Sequence, residues 1–592
     1  NLTWQEAATY EADDVEYEDY LLKETIDNTF NYFNSSDTYS MQMGRLSGSL
    51  KTSDNRLYDS IVTENNYTYY RSGSGVGLLE TETIEPSSID LQSTTTHSYD
   101  GYGNRTQSIA EEAATGDKRY TERSVYDSAG RFVDETWRYI RSGTGWADTK
   151  VSAVEARDKF GAPTRVASYN GGGVVRAVSG TSHFGRVYFQ GDSSGRYSKT
   201  TSVAATHSYC SDVTKLYTYH SASDGTYRGV CYDFLGRIAR EFNYNMNGRW
   251  VFVDTEYDLA GRVERKSEPY FRGNTPFWTT TVYDLQDRPT SIRYPHLDPD
   301  TGTSAVTTFD YIEWRVDETN ARDNQHSVYK NALGQVRATK DQKGNYTYFK
   351  YDAHGNLKSM IDSGDNQTTI NYDLLGRKTA MNDPDKGNWQ YQYNAFGELT
   401  CQQDAKNQHV VNSYDRFGRM LNRRDYAVGG TCDSPTGALK GNTTWNYDQA
   451  TYGVGQLQNM VDTVSGYQKH VTYDALGRPS VLRTRLRGEN NVLGDHHQKT
   501  TYNAVGQVFQ VFDAARNGAD FTHNGFEHYY TRGVLTKIND AERINNVSLE
   551  TYYQAHTQNE RGNITQVTYG NGVEQSAYYN PRSGLVEDLW AT

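Results

Sequence analysis

The sequence Tyr-Asp-x-x-Gly-Arg, or a close variant, recurs along this 592-residue chain, and a recurring unit constrains a fold more tightly than any bulk property. Clear copies are Tyr99-Asp100 to Asn104 with Gly103, Tyr126-Asp127 to Arg131 with Gly130, Tyr232-Asp233 to Arg237 with Gly236, and Tyr257-Asp258 to Arg262 with Gly261. Tyr283-Asp284 to Arg288 carries Asp287 where Gly is expected. The middle is the most regular part: copies begin at Tyr329, Tyr351, Tyr372, Tyr393 and Tyr414, in steps of 22, 21, 21 and 21 residues. Further copies begin at Tyr473 and Tyr502, and looser ones at Tyr447, Tyr529 and Tyr579.

About 21 residues accommodate two strands of six to eight residues and two tight connections, so one repeat is read as one β-hairpin. In Asp352-x-x-Gly355, Asp373-x-x-Gly376, Asp415-x-x-Gly418 and Asp474-x-x-Gly477, Asp accepts a backbone hydrogen bond two residues on and Gly supplies the positive φ that closes the turn. The tyrosines recur with period two, as in Gln390-Tyr391-Gln392-Tyr393, which places them in strands. Hairpins laid edge to edge share their ladders, giving an all-β fold: tandem hairpins in one long, spirally wound sheet that walls a hollow shell. About 20 repeats imply roughly 40 strands and a ribbon about 190 Å long, which makes roughly one turn about 60 Å across.

Composition supports a thin wall. Apolar residues are 35% of the chain, the 49 tyrosines included, and mean hydropathy is -0.83, too little aliphatic side chain for a thick core. Disorder is excluded by an aromatic content of 13%, since disordered chains are poor in aromatic residues. Residues 1–94 are read as an acidic lead-in with early hairpins, solvated and partly helical where Glu6, Glu11, Asp13, Asp14, Glu16, Glu18, Asp19, Glu24, Asp27 and Asp37 face Lys23 alone. Residues 95–592 are the repeat shell, irregular at 140–230 around Gly143 to Gly145, Gly171 to Gly173 and His183-Phe184-Gly185-Arg186. The start at Asn1 suggests a piece of a longer protein.

These motifs resemble the Rhs/YD-repeat family, which includes bacterial polymorphic toxins, the B and C components of insecticidal toxin complexes, and teneurins. Two longer passages carry the likeness toward the bacterial members: Tyr257 to Arg262 followed by Ser267-Glu268-Pro269-Tyr270, and Asp383-Pro384-Asp385-Lys386-Gly387-Asn388-Trp389 running into Tyr393 to Leu399. The resemblance covers about residues 95 to 590 and implies a shell that protects a toxic C-terminal polypeptide until its release into a target cell. It implies as partners that enclosed polypeptide, fused or cleaved, together with delivery-machinery or toxin-complex subunits. It implies a protein made in the bacterial cytoplasm and then secreted or delivered. The family's self-cleavage motif is not found; Asp298 to Gly302 and Asp383 to Gly387 read as turns within the array. The runner-up function is an extracellular adhesion or carbohydrate-binding module using exposed Tyr and Trp.

Other chemistry is weaker. A net charge of -14 repels a phosphate backbone, so nucleic acid is not an expected partner. No apolar run reaches the ~20 residues that span a bilayer. Most aspartates sit at turn positions where a structural role suffices. His496-His497 beside Asp495 is read as a surface loop, not a metal site. Cys210, Cys231, Cys401 and Cys432 are too sparse for a disulfide framework or zinc. The strings Gly73-Ser74-Gly75-Val76-Gly77 and Gly171 to Gly173 lack a phosphate-loop frame and read as turns. No catalytic residue, metal or cofactor is assigned.

Overall fold

In the computed structural model, the described residues are 3–5, 22–30, 45–55, 59–71, 76–142, 145–182, 186–203, 209–210, 216–297, 302, 304–488, 492–516, 525–541 and 550–592. Among them every regular element is a strand, running from β1 (Thr3–Gln5) to β47 (Val586–Ala591). All pairings are antiparallel, and neighbours in sequence are neighbours in the sheet. Strands β1 to β8 (Lys118–Tyr120) form one sheet, and β9 (Arg123–Tyr126) to β47 form the other.

The described part of the lead-in is strand rather than helix: β1 pairs with β2 (Leu22–Phe30), which carries Glu24 and Asp27. Glu6 to Asp19 and Asp37 lie outside the described residues, as do Gly73 to Gly75, Gly143, His183 to Gly185 and Asp298.

The regular centre shows why the repeat folds this way. β28 (Tyr346–Tyr351), β29 (Leu357–Ile361) and β30 (Gln367–Tyr372) are five or six residues long and rich in Thr, Tyr and β-branched residues, which suit a half-exposed pleated surface. The Tyr351-Asp352 turn between β28 and β29 puts Gly355 at φ 85°. A register shift falls at Lys350/Tyr351, and the same shift recurs at Asn371/Tyr372, Gln392/Tyr393, Ser413/Tyr414 and Thr472/Tyr473. Each such bulge bends its strand and adds twist, so a bulge in every repeat curls the ribbon continuously in one sense.

Among the described residues, strands contact chiefly their ladder neighbours. Among the described residues the buried apolar side chains are few for a chain of this length, and the larger of two clusters gathers Phe242, Phe252, Tyr270 and Cys231 around Trp250. One local irregularity interrupts the ladder: β19 (Trp250–Tyr257) pairs along one edge with both β20 (Val263–Ser267) and β21 (Tyr270–Phe271), because Glu268-Pro269 breaks what would be a single strand.

Candidate functional site: the wound wall and its seam

Each residue of the repeat has a distinct physical task. At Asp373, one carboxylate oxygen accepts the backbone N–H of Leu375 at 3.0 Å and of Arg377 at 2.9 Å, while the other takes Arg377 Nε at 2.6 Å. Asp233, Asp258, Asp284, Asp415 and Asp474 hold Arg237, Arg262, Arg288, Arg419 and Arg478 in the same way. Asp100 and Asp352 use Asn104 and Asn356 instead, and Asp127 accepts the backbone N–H of Arg131. Burial raises the carboxyl pKa of Asp233, Asp258, Asp284 and Asp474, but these donors outweigh it and hold all four below the ordinary carboxylate range.

The arginine then reaches forward. The guanidinium of Arg237 lies 4.2 Å from the ring centroid of Tyr257, the next tyrosine in the series, and Arg262, Arg288, Arg419 and Arg478 lie 4.7, 4.1, 4.4 and 4.2 Å from Tyr283, Tyr311, Tyr447 and Tyr502. Many of the tyrosine hydroxyls in turn donate to the carbonyl just past the preceding turn. Tyr257 bonds Ile238, Tyr351 bonds Val336, Tyr372 bonds Leu357, Tyr414 bonds Leu399 and Tyr473 bonds Leu457, at 2.5–2.9 Å. Tyr99 and Tyr126 make the same link to Leu79 and Arg105. Tyr232 closes its own hairpin opposite Ile238. These hairpins are thus clamped to their predecessors by a hydrogen bond worth about 1 kcal/mol and, at Arg237, Arg262, Arg288, Arg419 and Arg478, by a cation–π contact of ~0.5–1 kcal/mol.

The opposite edge of the ribbon has its own turns, at Asp341, Asp362, Asp383 and Asp404. They use the same aspartate cap, but the left-handed position is taken by Asp365 at φ 59° and Asn407 at φ 56° as readily as by Gly. The Tyr-Asp signature does not reveal them. The signal in the sequence was an Asp recurring about halfway between successive tyrosines.

The curled ribbon returns onto itself along a seam. Arg119 makes a two-pronged ion pair with Glu398, the Glu112 carboxylate accepts the Ala395 N–H at 2.8 Å, and Tyr120 N–H donates to the Arg416 carbonyl at 3.0 Å. Burial opposes the charge on Arg119, but Glu398 outweighs it and raises the pKa. The Arg416 side chain lies 5.2, 5.3 and 5.0 Å from the rings of Tyr120, Tyr139 and Trp146. Further along, Asn170 bonds Ala475 at 2.9 Å, Arg532 bonds the Met246 carbonyl at 2.9 Å, and Arg561 pairs with Glu268 at 2.8 Å. Met246 packs into a small apolar cluster with Ala555 and Val567. The Gly171 to Gly173 turn belongs here: a Cβ on Gly172 would lie 2.7 Å from the Tyr452 ring, so the backbone approaches where no side chain fits.

Seam partners lie 279 to 313 residues apart, so one wind takes about 25 strands, as from β8 to β33 (Leu399–Gln403). At ~4.8 Å per strand that is a circumference of about 120 Å and a ring about 38 Å across. This corrects the sequence estimate of one wide turn: the ribbon makes nearly two narrower winds, because the bulge in each repeat bends it more sharply than twist alone. Three clefts of about 640 to 800 Å³ lie along the seam, including one walled by Glu112, Arg119, Arg377, Asn394 and Tyr414.

Two further expectations are corrected. The four cysteines pair as Cys210–Cys231 and Cys401–Cys432, each tying a strand to a connection 21 or 31 residues away in sequence. His496 and His497 lie within β40 (Leu493–Tyr502) rather than in a loop, and the described residues contain no group of three or more His, Cys, Asp or Glu placed to hold a metal ion. Asp383 to Gly387 is a turn between β31 (Lys378–Asp383) and β32 (Gly387–Tyr393). No helix among the described residues is long and apolar enough to cross a membrane.

The described residues form a single-layer antiparallel ribbon of Tyr-Asp hairpins, wound on itself. The RHS repeat profile matches residues 351–387. The fold is shared with solved structures of Tc-toxin proteins. A TcdB2-TccC3-TEV structure aligns with 100% of this chain at a TM-score of 0.76 and 11% identity, and a Photorhabdus luminescens Tc holotoxin pore carrying a TccC3 D651A mutation aligns with 97% at 0.64 and 12%. This chain spans 39% of each of those chains. No curated protein matches.

Proposed function

We propose that this chain is a shell segment of a toxin-delivery protein, enclosing a toxic C-terminal polypeptide and protecting it until release into a target cell. The observation that carries the reading is the seam: among the described residues the sheet meets itself after about 25 strands, as a wall around a space would. Allowing about 10 Å for the side chains of the two facing walls leaves a lumen about 28 Å wide. A compact 100-residue domain has a radius of gyration of about 13 Å, which makes it wider than this lumen. The polypeptide would therefore sit inside unfolded or in short folded pieces. The wall suits such a guest, since Asn388, Gln390 and Gln392 project on one face of β32 and Trp389, Tyr391 and Tyr393 on the other, offering hydrogen bonds and ring surface without a large apolar patch.

Two disulfides favour a protein that works outside the reducing cytoplasm, in keeping with secretion or delivery after synthesis. The experiment is protease protection of the protein isolated from its producer. A C-terminal polypeptide that survives digestion until the shell is denatured, identified by mass spectrometry, is the expected result. Protein isolated with no protected polypeptide would overturn the reading.

A further inference from the structure

One hairpin of the regular centre departs from its neighbours. His409, which opens β34 (His409–Tyr414), is 0% exposed, whereas Gln325 and Gln367, at the same ladder position of their own hairpins, are exposed. Both ring nitrogens of His409 are buried, and neither has a hydrogen-bond partner. A buried polar group left unpaired calls for a reason. The connection at residues 427–438 folds back onto this hairpin: Cys432 is bonded to Cys401 of β33, and the Gly429 N–H donates to the Asn407 carbonyl at 3.4 Å. In the ladder Gln403 faces His409 and Cys401 faces Val411, so Cys401 and His409 are diagonal neighbours on one face. Such neighbours lie about 7–8 Å apart, within reach of an aromatic ring. Cys401 is 2% exposed, while Cys432 is half-buried between the exposed Thr431 and Asp433.

We propose that Cys401–Cys432 is a thiol-exchange site for a small-molecule thiol, with His409 as the partner of the Cys401 thiolate that exchange releases. The thiolate of the small thiol attacks the Cys432 sulfur from solvent. A new S–S bond to Cys432 forms, the Cys401–Cys432 bond breaks, and its electron pair leaves with Cys401. His409 takes up the proton that the small thiol gave up. A second thiol attacks the mixed disulfide at Cys432, so the protein gains two electrons and the small thiol is oxidised to its own disulfide. An imidazolium beside Cys401 thus finds in the reduced chain the acceptor it lacks in the oxidised one. A thiolate paired in this way stabilises the reduced state and makes the disulfide easier to reduce. Cys210–Cys231 is the internal contrast: Cys231 packs among Phe242, Phe252 and Tyr270, and Arg240 opposite it is already held by two bonds to Asp254. Exchange frees the 427–438 connection from β33 and uncovers His409. Such a site stays closed in an oxidising medium and opens in a reducing compartment. The inference holds whether or not the lumen carries a guest.

The test equilibrates the oxidised protein with reduced and oxidised glutathione in graded ratios, quenches by alkylation and reads each cysteine by peptide mass spectrometry. In the unaltered chain, Cys401–Cys432 is expected to open at ratios that leave Cys210–Cys231 intact, and the trapped glutathione adduct should sit on Cys432. His409→Gln should move the Cys401–Cys432 equilibrium about 10-fold toward the disulfide, or about 30 mV for this two-electron couple. Cys210–Cys231 should not move in that variant, which also reports that the wall is intact. The first two readings need no variant, so they decide the matter even where His409→Gln fails to fold. Equal reduction of the two disulfides, an adduct on Cys401, or an unchanged equilibrium in a folded His409→Gln would each overturn the proposal.

Discussion

Arg419 ties its own turn to the next hairpin. It bonds Asp415 of its own turn at 2.7 Å and makes two bonds to Asp448, at 3.0 and 2.6 Å, and it lies over Tyr447 of the next hairpin. The two carboxylate side chains are 2% and 0% exposed, so water cannot replace the guanidinium. Burial acts against the charge on Arg419, but Asp448 and Asp415 outweigh it and raise the pKa. Arg419→Met keeps the stem packed on Tyr447 and leaves two buried carboxylates facing each other. Breaking a buried pair in this way costs about 3–5 kcal/mol. An array of hairpins opens locally, so hydrogen exchange reports the loss better than a global melt. Amides of β35 (Met420–Tyr426) and β36 (Leu439–Tyr447) should lose protection about 100-fold or more, since 1.36 kcal/mol is a factor of ten. Amides of β28 should keep theirs. Adding Asp448→Asn should recover part of the loss. Unchanged protection in Arg419→Met, or an equal loss along the whole ribbon, would refute the clamp reasoning.

Three other outcomes follow from the same geometry. Gly477→Ala, at φ 77° and next to the seam, should cost about 1–2 kcal/mol, whereas Asn407→Gly at φ 56° should be tolerated; exchange at the two turns separates them. Reducing Cys401–Cys432 should lower local stability by about 3–4 kcal/mol on the loop-entropy scale, read as lost protection in β33 and in the connection around Cys432. Acid should loosen the turns. Asp233, Asp258, Asp284 and Asp474 have depressed pKa values, so their contribution is complete above the unfolded aspartate value of about 3.9 and is lost as pH falls through the lower folded values. Amides at Leu235 and Leu476, which bond these carboxylates, should lose protection below about pH 4. They should be indifferent between pH 6 and 8.

How much was legible in the sequence follows from the range of each interaction. Asp373, Gly376 and Arg377 meet within one turn, and Tyr372 alternates within one strand, so local pattern sufficed for the hairpin. The opposite edge was harder, because Asp365 and Asn407 adopt the left-handed conformation without Gly to mark it. The wind was missed because its diameter is set by a bulge beside each tyrosine, and a bulge is a register relation between two strands rather than a residue type. Seam contacts such as Arg119 with Glu398 bring together residues 279 apart and follow only once the curvature is known. Cys401 and Cys432 pair for the same reason: the connection carrying Cys432 folds back over β33 at a distance that spacing alone does not give.

The central claim is a hollow wound wall around a polypeptide, and a cryo-electron-microscopy map of the protein from its producer tests it most directly. The account expects a sheet of about 25 strands per wind, about 38 Å across, with density inside that mass spectrometry assigns to a C-terminal fragment. A ribbon that does not meet itself at Arg119 and Glu398, or a closed wall around solvent alone, would contradict it.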